Sequence, residues 1–294
     1  RLPVPKLSNE IRELFRVIGP AALGAGIVQI NLLIDTLLAA RFLPEGSVSW
    51  LFYADRLNQL PLGVIGIAVG TVLLPGISRL LAGGDTTGAA RQQNRAIEFT
   101  LFLTLPAATA LALIASPIIA TLFEREAFTS ADTAATASAL AVYALGLPAY
   151  VVAKALTPGY FARQDTKTPV RFASISLLIN TGLNFALIWD FAHVGLAAAT
   201  AIAAWVNVAM LYFGLKKRFD FKLSRQTLTS VAKAALACVA MAYLGHYGAM
   251  FDAGGSARIL HLALLIAAGG ITYLILAFLL GVVRLSEIRQ IIRQ

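Results

Sequence analysis

Charge is what this chain has least of. Only 13% of its 294 residues are charged, while 58% are hydrophobic and the mean hydropathy is +0.76. A soluble domain carries about 25% charged residues, so an ordinary soluble globule is excluded. Cysteine is nearly missing. Cys238 stands alone inside an apolar run, which rules out an internal disulfide and leaves no Cys/His spacing for a transition metal. The three histidines, His193, His246 and His261, fall near the ends of apolar runs, where an interfacial place is a plainer reading than ligand duty. There is no H-E-x-x-H, no G-x-S-x-G and no aspartate pair of the prenyl-diphosphate type. The motifs of an intramembrane enzyme are therefore lacking. Heptad arrays, low-complexity tracts and a soluble domain are also missing.

What the chain does have is long apolar runs, several above the eighteen residues at which a transmembrane helix becomes the default reading. Eight spans are expected, near 17–40, 50–81, 96–123, 133–161, 170–190, 194–214, 228–249 and 257–282. The fold class is all-α and integral to a membrane. The net charge of +9 comes from basic residues in short loops, a topology signal rather than a nucleic-acid footprint. With a cytoplasmic N-terminus, inside segments hold Arg79, Arg91 and Arg95, then Arg163, Lys167 and Arg171, then Lys216, Lys217, Arg218, Lys222 and Arg225. The tails add Arg1, Lys6, Arg12, Arg16, Arg284, Arg289 and Arg293, whereas outside segments hold only Arg41, Arg125 and Arg258. That imbalance puts both termini in the cytoplasm. Residues 7–16 place Leu7, Ile11, Leu14 and Phe15 on one helical face, as a surface-lying amphipathic helix or as the polar start of the first span. The segment AGGDTTGAARQQN reads as a flexible inner loop. A tight turn at His193 to Gly195 should make the fifth and sixth spans an antiparallel pair. The chain opens Arg1-Leu2-Pro3 with no initiator Met and no leader pattern, so earlier helices are expected to precede it.

Polar residues inside the runs carry the functional argument, because a charge at membrane depth costs about 2.5–3.5 kcal/mol and needs a partner or a wet cavity. The stretch from Trp50 to Leu81 opens with Trp50, Phe52 and Tyr53, then sets Asp55 beside Arg56. As one helix it would run roughly 48 Å, longer than a bilayer core of about 30 Å. Counting helical rise from the outer span ends, Asp35, Arg56, Asn184 and Thr200 all lie about 7–9 Å deep. Asn180 shares a face with Asn184 at i,i+4 spacing. Asp35, Asn180, Asn184 and Thr200 offer oxygens and amides with one negative charge. That set suits a hard monovalent cation or a proton, and equally suits interhelical polar glue. Arg56 is a planar donor fork fit for phosphate, or an interfacial arginine snorkelling beside Asp55. Lys154 lies some 14 Å from the inner end, either snorkelling or facing a cavity as a second anion contact. Gly63, Gly66 and Gly70 permit close helix approach, and Pro61 and Pro75 permit bending, for packing or for a moving helix.

Two segments carry a family resemblance. QINLLIDTLLAARFLPEGSVSWLFYADRLNQLPLGVIGIAVGTVLLPGIS, Gln29 to Ser78, resembles the seventh and eighth helices of the MurJ/MviN lipid II flippase family. KALTPGYFARQDTKTPVRF, Lys154 to Phe172, resembles its tenth-to-eleventh helix junction. The resemblance implies helices seven to fourteen of a fourteen-helix member of the multidrug/oligosaccharidyl-lipid/polysaccharide exporter superfamily. On that reading residues 1–16 are a cytoplasmic lead-in and 17–214 a six-helix lobe. Residues 215–294 are a basic loop with two extra helices, a polyprenyl-tail groove and a short tail. The implied cargo is lipid II, the undecaprenyl-diphosphate disaccharide-pentapeptide of peptidoglycan and cell-wall synthesis, moved outward across the bacterial cytoplasmic membrane. The implied partners are membrane lipids and a preceding N-terminal lobe, with no nucleic acid. Arg56 matches the family's essential cavity arginine, with Asp55 and Lys154 beside it in the implied substrate site.

Some members carry a sodium site that maps onto Asp35, Asn180, Asn184, the carbonyl of Leu196 and Thr200. Asn184 stands where those members have a carboxylate, so sodium, a proton or the membrane potential alone remain open as the coupling force. No other cofactor is implied. The expected mechanism is alternating access, in which fixed cations replace water around a diphosphate that could not otherwise cross hydrocarbon. The rivals are a drug/cation antiporter of the same superfamily, which would need more acids in its cavity, and a non-transporting scaffold of cell-wall assembly, whose polar residues should pair off.

Overall fold

The computed structural model describes residues 26–27, 29–249 and 257–282. The amphipathic lead-in, the start of the first span and the last twelve residues, 283–294, lie outside the described residues. Everything regular is helical: α1 (29–42), α2 (Ser47–Ala82), α3 (Thr86–Leu113), α4 (Ala115–Phe123), α5 (Ser130–Phe161), α6 (Lys167–Phe219), α7 (Arg225–Ala249) and α8 (Ala257–Leu279). Among the described residues five helices, α3 and α5 to α8, are long and apolar enough to cross a membrane. An all-helical, multi-pass membrane protein follows, since only helices and closed barrels satisfy every backbone group in lipid.

Local chemistry sets the ends of these elements. Between α1 and α2 the chain turns at Gly46, whose φ of 93° is closed to most side chains. A Cβ there would also lie 2.9 Å from the Trp50 ring. Thr129 caps α5: its hydroxyl takes the Asp132 N–H at 3.4 Å, and the Asp132 carboxylate takes the Thr129 N–H at 2.8 Å, a reciprocal capping box. The third expected span, 96–123, differs in two ways. It begins ten residues earlier, because Asp85 caps Thr86 by accepting the Gly88 N–H at 2.7 Å, so most of the supposed flexible loop is helix. It also breaks at Ile114 (φ −110°, ψ 27°), separating α3 from α4. Pro117 accounts for the break, since its ring would strike the Leu113 carbonyl of a continuous helix.

α6 is a hairpin. Its 53 residues fold back at Ala192, which holds φ 47° and ψ −131°. Partners step outward from the bend in antiparallel order: Gly195 against Leu187, Thr200 against Asn180, Ala203 against Ser176 and Gly214 against Phe172. The Ser176 hydroxyl donates to the Ala203 carbonyl at 2.6 Å. The expected pairing of the fifth and sixth spans therefore holds.

α5 is the central post and the most deeply buried of the candidate spans. α2, α3, α4 and α6 pack around it, while α7 and α8 attach mainly through α3 and α4. One apolar core joins Leu38, Ala54, Ile119, Leu140 and Leu196 toward the hairpin bend. A second joins Leu73, Ile77, Ile97, Leu156, Tyr160 and Leu215 toward the opposite end. Polar hooks lock the layers. Gln93 on α3 donates to the Ala155 and Leu156 carbonyls of α5 at 3.2 and 3.1 Å. Asn94 donates to the Lys222 carbonyl at 3.0 Å and accepts the Ser224 N–H at 2.8 Å, fixing the loop into α7. The periphery stays apolar, with Val64, Leu178, Trp189 and Leu279 exposed.

Candidate functional site

The bend of α6 and the passing α1 bring together a closed polar cluster. Asp35 of α1 is 7% exposed, and Asn180 and Asn184 of the first arm are 1% and 0% exposed. The Asn184 Nδ2 donates to Asp35 Oδ1 at 2.6 Å and to Asn180 Oδ1 at 3.0 Å. Thr200, on the second arm, donates from its hydroxyl to Asp35 Oδ2 at 3.2 Å and accepts Asn180 Nδ2 at 3.1 Å. Asn31, one turn before Asp35, adds a weak donation to Oδ2 at 3.4 Å. Leu196 is fully buried one turn before Thr200, in the apolar core. Hydrogen bonds thus join Asp35, Asn180, Asn184 and Thr200, whereas Leu196, named by the resemblance alone, lies in the apolar core. The cluster adds Asn31, for which i,i+4 spacing from Asp35 was the available signal.

Two oxygens in the cluster, Asn184 Oδ1 and Asn31 Oδ1, are buried without a hydrogen-bond partner among the described residues. Orphaned acceptors of this kind are uncommon in settled interiors. One carboxylate, three amide oxygens and a hydroxyl form a hard-oxygen donor set, so a monovalent cation fits the residues present. The single formal charge makes the set weaker than one with two carboxylates.

Arg56 does not join this cluster. It is exposed on α2, its guanidinium 4.8 Å from the Phe52 ring and its Nη1 3.4 Å from Gln59 Oε1. Gln59 in turn donates to Asp55. Among the described residues Arg56 forms no ion pair, and the expected Asp55–Arg56 pair is replaced by Gln59 standing between them. Gln59 sits four residues beyond Asp55, a spacing that marks it in hindsight. An arginine with a stacked ring behind it and no direct ion pair among the described residues can offer its donor fork to an incoming anion.

Lys154 on α5 lies across α2 at Gly66, where an added Cβ would come within 2.7 Å of Nζ. Gly66 leaves room for the Lys154 side chain in this position, whereas Gly63 has open space around it. Side chains around Gly70 lie outside the described residues. α2 runs as one helix through Pro61 and Pro75.

Both ends of the bundle are tied. At the bend end, the Trp50 indole donates to Asp132 Oδ1 at 2.8 Å, and its ring meets that of His193 at 5.1 Å. His193 Nε2 lies 2.9 Å from the Ala135 carbonyl. Arg258 pairs with Glu124 at 3.1 Å, and Glu124 also accepts the Thr133 hydroxyl at 2.8 Å. At the other end Asp165, between α5 and α6, accepts the Thr168 N–H and hydroxyl and the Arg218 Nη1, the last at 2.7 Å. Partial burial would raise this carboxyl, but the Thr168 bonds and the Arg218 charge outweigh it and hold it below the usual carboxylate value.

A bundle of long apolar helices with a hairpin span and a buried polar cluster is a multi-pass helical membrane fold. Solved structures agree. A multidrug resistance MATE family transporter of the MOP superfamily, in its outward-facing conformation, overlays with TM-score 0.54 at 19% identity over 88% of this chain and 62% of that one, a likeness of fold alone. The structure described as lipid II flippase MurJ, inward closed conformation, overlays with TM-score 0.74 at 29% identity over 92% of this chain and 56% of that one.

Residues 2–266 match the family model "Lipid II flippase MurJ", and the chain belongs to that family. A relative from Rhizobium meliloti (strain 1021), named "Probable lipid II flippase MurJ", is 44% identical over 99% of this chain and 55% of its own length. The Vibrio cholerae relative of the same name is 40% identical over 92% of this chain and 52% of its own. The chain spans about half the length of the curated relatives it matches.

Proposed function

We propose that this chain forms the second lobe of a lipid II flippase, carrying a polyprenyl-diphosphate-linked cell-wall precursor from the cytoplasmic to the periplasmic leaflet by alternating access. The observation that carries the reading is the 44% identity across nearly the whole chain to a relative bearing that function's name. The protein is a transporter rather than an enzyme, multi-pass in the bacterial cytoplasmic membrane. It crosses eight times: α1, α2, α3 with α4, α5, each arm of α6, α7 and α8, with both termini inside. Residues 17–214 make the six-helix lobe, and 215–294 carry the pair of helices along which the polyprenyl tail stays in lipid. A preceding lobe, in the half of the relatives' length that this chain does not span, faces α2 and completes the cavity.

Within that lobe Arg56 binds the diphosphate through its donor fork, with Phe52 behind it and Gln59 holding Asp55 away from the guanidinium. Lys154 adds a second cation from α5, which reaches the cavity because Gly66 leaves room. The polar cluster around Asp35 ties α1 to the α6 hairpin and is a candidate ion or proton site. A half-turn of the Asn184 amide would present its Oδ1 to a cation, and the lone carboxylate keeps such binding weak. Gly63, Gly66, Gly70, Pro61 and Pro75 serve packing and bending of α2 as the lobes rock.

Depletion of the endogenous flippase and rescue with the full-length protein is the test. Arg56→Ala should insert normally yet fail to rescue growth or to expose lipid II outside. Rescue at the unsubstituted level refutes the role of Arg56 and leaves family membership standing.

A further inference from the structure

The outer side of the α6 hairpin carries a feature that neither the polar cluster nor Arg56 uses. Between its two arms, at the end away from the bend, runs an open groove of about 430 Å³, within the ~300–1,000 Å³ range of small-ligand sites. Its walls are Phe172 on one arm and Val206, Ala209, Met210 and Phe213 on the other, all apolar, with Gly214 as floor. Gly214 has to be glycine, because a Cβ would press on Phe172 at 2.9 Å and on the Tyr160 hydroxyl, which is committed to the Leu211 carbonyl. The groove is therefore held open by buried packing behind it. One residue of its lining is charged. Lys217 closes the end nearest the basic loop, and Arg171, beside Phe172, and Lys216 are exposed near it. None of the three forms an ion pair among the described residues, whereas Arg218 is occupied by Asp165 and Lys222 by Asp220.

An open apolar groove, with cations at one end that form no ion pair among the described residues, is complementary to one class of molecule that always surrounds a membrane-spanning helix. We propose that this groove is a binding site for an anionic diacyl phospholipid, one acyl chain lying between Phe172 and Phe213 and the phosphodiester resting on Lys217. Basic pockets between spans on the cytoplasmic side attract acidic headgroups in this way. The site is distinct from the lipid II path, being built wholly from the two arms of α6. It seats a structural lipid against the hairpin that also carries Asn184 and Thr200.

The test uses full-length protein stripped of lipid in detergent, with native mass spectrometry reading retention of added phosphatidylglycerol against phosphatidylcholine. Phosphatidylglycerol should be kept preferentially. Lys217→Glu should weaken that binding on the order of ten-fold, and Ala209→Trp, which fills the trough, should remove it. Lys222→Glu, an equal charge change outside the groove, should leave it unaltered. Thermal unfolding in detergent with phosphatidylcholine alone checks that each variant is folded. Equal retention by wild type and both groove variants overturns the proposal and points to another part of the full chain, or a second copy, covering the groove. Loss in Lys222→Glu as strong as in Lys217→Glu overturns it in favour of diffuse charge. Inorganic phosphate that displaces the lipid fully would show that no acyl chain is held, and would also overturn it.

Discussion

At the scale of single residues, the chain treats its buried polar groups unevenly. Asn94 spends its amide on the loop into α7 and leaves nothing over, whereas Asn184 keeps an orphaned oxygen in the middle of a cluster that otherwise closes on itself. Asn184→Leu should remove two donations and leave Asp35 buried with a missing partner. The expected loss is about 1–2 kcal/mol, read by equilibrium unfolding in detergent mixtures. Asn184→Asp should act differently, restoring a second carboxylate. Its thermal midpoint should rise in sodium chloride relative to choline chloride, a difference much smaller in the wild type. Arg56→Lys should rescue flipping only in part, since an ammonium keeps the charge but loses the planar fork and the stacking on Phe52. Growth rescue alone is too coarse for this; lipid II exposure rates separate Lys from Ala. Much of this scale was readable beforehand. Asp35, Asn184 and Thr200 fall at one depth by helical rise, and Asn180 shares a face with Asn184. Arg56 has the same depth yet stands apart, because depth says nothing about which way around the helix a side chain points.

At the scale of elements, the hairpin and the α3–α4 break show what apolar patterning can and cannot locate. Long hydrophobic runs marked the helices that are long and apolar enough to cross a membrane, and the turn near His193 to Gly195 was visible from the histidine and glycine interrupting them. The bend itself falls one residue earlier, on Ala192, a residue with no special liking for φ 47°. Nothing in an alanine announces such a conformation. Ala192→Gly should relieve that strain and raise stability by about 1 kcal/mol in thermal unfolding. Gly195→Val should do the opposite. Its Cβ would stand 2.5 Å from the Leu187 carbonyl oxygen, so the arms could not close, and the protein should be lost from the membrane fraction on blotting. The start of α3 was missed for a different reason. AGGDTTGAARQQN looks loop-like by composition, and only the Asp85 cap turns its second half into helix.

At the scale of the whole molecule, α5 is the post and each end is fastened around it by an arginine–carboxylate pair. Arg258 pairs with Glu124 by the bend and Arg218 with Asp165 at the other end, with aromatic contacts of Trp50 and His193 added by the bend. The Asp165 knot lends itself to a pH test. Its carboxyl is held below the usual carboxylate range in the folded protein, so its stabilising contribution is complete above that range and fades as pH falls through the lowered value. Asp165→Asn should therefore lower the thermal midpoint at neutral pH, and the gap from wild type should shrink in strong acid. A constant gap would mean that Asp165 acts by shape alone. The all-helical fold class was legible because lipid imposes it on any chain; of the eight expected spans, five helices among the described residues are long and apolar enough to cross a membrane. Pairings such as Gln93 with Ala155, or Asn94 with Lys222, were not, since a lone amide in an apolar run does not name its partner. The α6 hairpin has one more consequence, for biogenesis. Each arm carries polar groups, Ser176 and Asn180 on one and Thr200 on the other, whose partners lie on its twin. Threaded into the bilayer singly, either arm would meet acyl chains with those groups unanswered. The insertion machinery must accordingly hold the first arm in its channel until the second has emerged from the ribosome, and release the two together.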